Sequence, residues 1–201
     1  MKILFITPQL PFPPHQGTTI RNYNLIAALS QQHTIDLLTF TPTGEPIPAD
    51  HPLYRFCRRI GVAAQPQRPA ALRILDTVRS PLPDMALRLE SRAMRALVQE
   101  WVTRATTVPA DADRGYDIVQ VEGIEVAQYG RMVVEHPAWG TRKPALVFDN
   151  HNCEYCCKSA TPSPICVAPP AGRPHFIAWC SGANWSIMNG RFVGPPPPLP
   201  P

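Results

Sequence analysis

Two short apolar runs separated by one helix-length segment set the terms on which this chain can fold. KILFIT (2–7) is rich in β-branched and aromatic residues and is closed by Pro8; TIDLLTF (34–40) has the same character. Continuous apolar runs of that length suit strands buried on both faces of a parallel sheet. Between them, after the loop QLPFPPHQG, lies TTIRNYNLIAALSQQ. There Ile20, Tyr23, Asn24, Ala27, Ala28 and Gln31 fall on one helical stripe, which Leu25, Ile26 and Leu29 widen. Thr18 or Thr19 suits the N-cap. A strand, a helix and a second parallel strand in succession predict a right-handed crossover.

The pattern continues downstream. The proline-rich stretch 41–50 reads as a surface loop, Leu53–Arg59 as a helical turn and Ile60–Ala64 as a short strand. Ala70–Val78 and Ser91–Ala105 carry helical periodicity on either side of the breaker SPLPD. YDIVQVEG (116–123) and ALVFDN (145–150) read as strands, with an amphipathic segment at Glu125–Val134 between them. Strands alternating with helices predict an α/β fold: a Rossmann-like open parallel sheet with helices on both faces.

Composition narrows the function. The 201 residues suffice for one domain, or one domain and a tail, and an apolar fraction of 44% can fill its core. A net charge of +4 without a Lys/Arg run gives no footprint for nucleic acid. Ile3–Ile6 is too short for a signal-peptide core, and no stretch reaches membrane-spanning length. The expected location is therefore the cytoplasm, where the six cysteines stay reduced.

In open α/β sheets, ligands gather beyond the carboxyl ends of the strands. Three loops are expected there. The first carries His15, Gly17, Thr18 and Arg21; the second Glu122 and Gly123; the third Asp149, Asn150 and His151. Gly17 at a helix start would let backbone N–H groups and the helix dipole face an anion, although an ordinary turn needs the same residue. Glu122 could accept hydrogen bonds from a polyol, or simply end its strand in solvent. His151 could exchange a proton with a hydroxyl near neutral pH. A GxGxxG fingerprint is absent, which argues against a dinucleotide enzyme.

The opening forty residues, together with SPLPDMALRL, YDIVQVEG and LVFDNHNCEY, resemble the N-terminal half of bacterial family 4 glycosyltransferases of the GT-B fold. The resemblance covers about residues 1–155. It implies a retaining transfer of a sugar from a nucleotide sugar to a glycan or lipid-linked acceptor, with no cofactor and no bound metal. By the same resemblance His151 is the catalytic residue, and Gly17, Thr18, Arg21, Glu122 and Asn150 bind substrate or donor. Arg73, Arg79, Arg88, Arg92 and Arg95 could touch an anionic inner-membrane surface, although a solvated helix face explains them as well.

Beyond Tyr155 the character changes. Lys158, Arg173 and Arg191 are the only charged residues left, and the helical and strand periodicities stop. The expected division is an incomplete Rossmann-like domain over 1–155 and an irregular Pro/Cys-rich tail over 156–201. His151, Cys153, Cys156, Cys157, Cys166 and Cys180 suggest a zinc site, but only Cys153–Cys156 forms a paired knuckle. Reading one base out of register permits LLQKRDAFTDLRR for CCKSATPSPICV, and forces valine from Trp179–Cys180 and glutamate from Met188–Asn189. We read the tail as out of frame, and the chain as lacking the family's donor-binding domain and inactive alone. The alternative is a non-catalytic Rossmann scaffold that binds metal or a partner through this tail.

Overall fold

In the computed structural model, residues 1–69, 84–107 and 115–150 are described, together with three short strands at 176–180, 186–188 and 191–193. The expected helix at Ala70–Val78, the residue His151 and most of the tail lie outside the described residues.

Strands β1 (Lys2–Thr7), β2 (Thr34–Thr41), β3 (Cys57–Ala64), β4 (Ile118–Glu122), β5 (Ala145–Asn150) and β6 (Phe176–Cys180) form one sheet in the order β3-β2-β1-β4-β5-β6. Every neighbouring pair is parallel. That is the doubly wound Rossmann-like order, in which the chain winds outward from β1 in one direction and from β4 in the other. Strands β7 (Ser186–Met188) and β8 (Arg191–Val193) form a separate antiparallel pair. All three of the last strands fall within the stretch read as irregular.

Side chains alternate across β1, so its two faces meet different partners. Leu4 and Ile6 join Leu38, Phe40, Val119, Val121 and Leu146 against helices α3 (Arg92–Thr107) and α4 (Ala127–Glu135). Ile3 and Phe5 join Ile35 and Leu37 against Ile26 of α1 (Gly17–Ser30). Helices therefore cover both faces. The short helix α2 (Asp84–Leu87) leads into α3, where Ser91 N–H donates to the Tyr129 hydroxyl (2.8 Å) and Tyr129 in turn donates to Leu89 C=O (2.5 Å).

Several boundaries differ from the sequence reading. Gln16, not Thr18 or Thr19, is the N-cap of α1. Thr19 acts from inside the first turn, accepting from Gln16 N–H (3.0 Å) and donating to Gln16 C=O (2.9 Å). The buried residues of α1 are Thr19, Asn22 and Ile26, whereas Ile20 is 43% exposed. The apolar stripe misjudged the buried face because the first half of this helix turns a polar side toward the sheet. Leu53–Arg59 divides into a 3₁₀ turn, Pro52–Arg55, and the start of β3. His51 accepts from Leu53 N–H to cap that turn.

Candidate functional site at the carboxyl ends of the strands

The layer between α1 and the sheet changes chemistry along its length. Toward the amino ends it is filled by Ile3, Phe5, Ile35, Leu37 and Ile26. Two-residue steps along the same face lead to Thr7 on β1, Thr39 on β2, Gln120 and Glu122 on β4, and Asp149 on β5. Thr7, Thr39, Glu122 and Asp149 are all buried. Buried polar groups survive only when hydrogen-bonded, and most of these have partners. Thr7 donates to Gln9 C=O (3.0 Å) and lies 2.8 Å from the Thr39 hydroxyl. Gln120 Nε2 donates to Glu122 Oε1 (2.6 Å).

Helix α1 enters this polar region from above. Its Arg21 guanidinium forms an ion pair with the Asp149 carboxylate, bridging 128 positions in sequence. The Asp149 carbonyl accepts from Gly123 N–H at 2.8 Å. Asp149 therefore ties together α1, the exit of β4 and the exit of β5. Gly123 makes that turn at φ +100°, a conformation side-chain-bearing residues rarely adopt.

Gly17 is exposed at the first turn of α1, and among the described residues outside its own helix turn a Cβ placed there would meet no atom within 4 Å. Packing does not require a glycine at this position. The space beside the helix N-terminus is open, and the dipole of a helix favours an anion at that end.

The structure thus gathers Arg21, Glu122 and Asp149, with Thr18 half-buried on the α1 turn above them. Arg21 is engaged with Asp149, and Glu122 is buried against Gln120 rather than ending its strand in solvent. Asn150 ends β5, where its backbone pairs with Cys180 of β6. His151 lies outside the described residues, as do Cys153, Cys156, Cys157 and Cys166. Among the described residues, no group of three or more His, Cys, Asp or Glu side chains could hold a metal ion.

Sequence reasoning missed Asn22, Gln120 and the Thr7–Thr39 pair. Strand parity could have found the threonines and Gln120, since each lies two or four residues beyond an apolar side chain on the same face. Asn22 carried no such signal.

Of the basic residues considered for membrane contact, Arg88 and Arg92 are exposed, while Arg95 donates to Glu90 and Gln128, each at 3.0 Å. Arg73 and Arg79 lie outside the described residues. No described helix is long and apolar enough to cross a membrane. No protein-family model matches the chain, and no curated protein does.

Proposed function

We propose that residues 1–155 are the acceptor-side half of a retaining glycosyltransferase of the GT-B type, working on a nucleotide sugar and a glycan or lipid-linked acceptor. The observation that carries the reading is the polar region under α1, placed at the carboxyl ends of β1, β4 and β5 beside the reversal of strand order. It combines an open helix N-terminus at Gly17, suited to an anionic group, with hydroxyl and carboxylate groups suited to a polyol. The resemblance of the opening forty residues and of LVFDNHNCEY supports the same assignment.

In this reading Gly17 and Thr18 meet the donor, Arg21 is held toward the cleft by Asp149, and His151 follows β5 as the catalytic residue. Asn150 and Glu122 complete the substrate-facing set. Transfer also needs groups that stabilise the diphosphate leaving group. Losing even one preorganised donor from such a site slows catalysis by about 100- to 1000-fold.

The test joins residues 1–155 to the polypeptide encoded in the alternative frame and titrates a panel of nucleotide sugars. Binding, followed by sugar transfer to an acceptor, is expected. If the joined protein bound none of the panel, the proposal would fail. Zinc analysis of the reduced chain addresses the rival function of the tail, which one tightly held zinc per chain would favour.

A further inference from the structure

Among the described residues, one buried side chain of α1 is conspicuously unsatisfied. Asn22 is 1% exposed, and neither its Nδ2 nor its Oδ1 has a hydrogen-bond partner. Exchanging the two amide atoms would not change this, because both are unpaired. Native proteins rarely leave a buried amide in this condition without a ligand, a water or a functional reason.

Its position favours a ligand. Asn22 follows Arg21 in the chain, lies one turn below Thr18, and shares the buried side of α1 with Thr19 and Ile26. Ile26 belongs to the same apolar cluster as Phe5, whose register partner on β4 is Gln120. Asn22 thus occupies the part of the layer where apolar packing gives way to Gln120, Glu122 and Asp149. The two carboxylates make this depth unfavourable for an anion, and the Arg21 cation is engaged with Asp149. An amide offers a donor and an acceptor together, which matches a neutral hydroxyl.

We infer that Asn22 reads a sugar-ring hydroxyl of the ligand, entering beneath the first turns of α1. This rests on the nucleotide-sugar reading above and adds a residue to it.

Saturation-transfer NMR on the joined protein described above, with Asn22 intact as the wild type, tests the inference, with UDP-glucose and GDP-mannose as separate probes and UDP and GDP as controls. In the wild-type protein, saturation is expected on both base and hexose protons of at least one probe. Asn22→Leu keeps the approximate volume and removes both polar atoms. It should leave the thermal midpoint unchanged or higher, because no protein hydrogen bond is lost. Hexose saturation should fall severalfold while base saturation and diphosphate binding persist. Asn22→Ser, which keeps one hydroxyl, should retain part of the hexose signal.

A lower midpoint or failure to fold in Asn22→Leu, with hexose saturation intact in Asn22→Ser, would make Asn22 a structural residue and overturn the inference. Wild-type saturation confined to base protons would overturn it as well, yet leave nucleotide binding standing. Saturation of neither part by either probe would count against the nucleotide-sugar reading itself.

Discussion

The perturbation with the best-defined energetic consequence lies at the opposite end of the sheet. Asp36 on β2 is fully buried and accepts four hydrogen bonds: from Arg58 Nε (2.9 Å) and Nη2 (2.6 Å), Arg59 Nη2 (3.0 Å) and the Tyr116 hydroxyl (2.9 Å). Burial alone would raise its pKa, but the two guanidinium groups and the phenol together hold the carboxyl below its ordinary value. Asp36→Asn removes the charge and leaves two arginines facing a neutral amide. Breaking a buried ion pair from one side costs roughly 3–5 kcal/mol. Arg58 and Arg59 are 36% and 25% exposed and can recover some hydration, so the lower end, about 3 kcal/mol, is expected. The loss should depend on pH. Because the folded-state pKa is depressed, the stabilisation is fully present above the unfolded value of about 3.9. It is lost as pH falls from there through the folded value, since the unfolded chain binds the proton more readily. Urea unfolding of both proteins between pH 7 and pH 2.5 should show a gap that is constant near neutrality and narrows only below about pH 4. A gap under about 1 kcal/mol at pH 7, or one that persists unchanged in acid, would refute this account.

Gly123→Ala forces a side chain into the φ +100° turn and should cost about 1–3 kcal/mol in urea unfolding; an unchanged midpoint would show that the turn can relax. Gly17→Ala meets open space and should alter stability by less than about 1 kcal/mol, yet in the joined protein it should weaken nucleotide-sugar binding measured by calorimetry. Cys57 is buried, and its thiol is pushed up to about 12 by burial and by the neighbouring Asp36 charge. Site-resolved mass spectrometry should therefore find it resistant to alkylation at pH 8 until the protein is unfolded. Arg21→Ala leaves the buried Asp149 carboxylate without this ion pair and should destabilise the chain by about 1–3 kcal/mol, whereas Arg21→Lys should restore part of the loss.

The strands were the most legible part of the sequence. KILFIT matches β1 residue for residue, and ALVFDN matches β5, because central strands of a parallel sheet run apolar over most of their length. The alternation of elements implied a parallel sheet, but not the order of its strands. Helix α1 was found, yet its buried face was misread. Periodicity assumes that the covered side is the greasy side, and Thr19 and Asn22 break that rule beneath the first two turns. The same exception hid the Arg21–Asp149 pair, whose partners stand 128 positions apart and meet only once β1, β4 and β5 are aligned. The Asp36 cluster was equally invisible, because Asp36 sits in a run otherwise typical of a buried strand.

These two departures from an apolar core differ in kind. At the amino ends of the strands, Asp36 draws its partners from β3 and from Tyr116, two residues before β4, and Arg59 also lies over the Trp101 ring, 4.4 Å from its centroid. Substituting there should change stability without touching ligand binding, which makes Asp36→Asn a suitable control for the site variants. At the carboxyl ends, polar groups lie beside an open helix terminus, and Asn22 is left with neither amide atom paired. A fold selected for stability alone would fill that position with leucine, because a buried unpaired amide is a net cost. An unpaired amide beside the switch point is what the proposed binding site predicts. The contrast between Asp36→Asn and Asn22→Leu thus separates the two ends: the first should lose stability and keep the hexose contact, the second should keep stability and lose most of that contact.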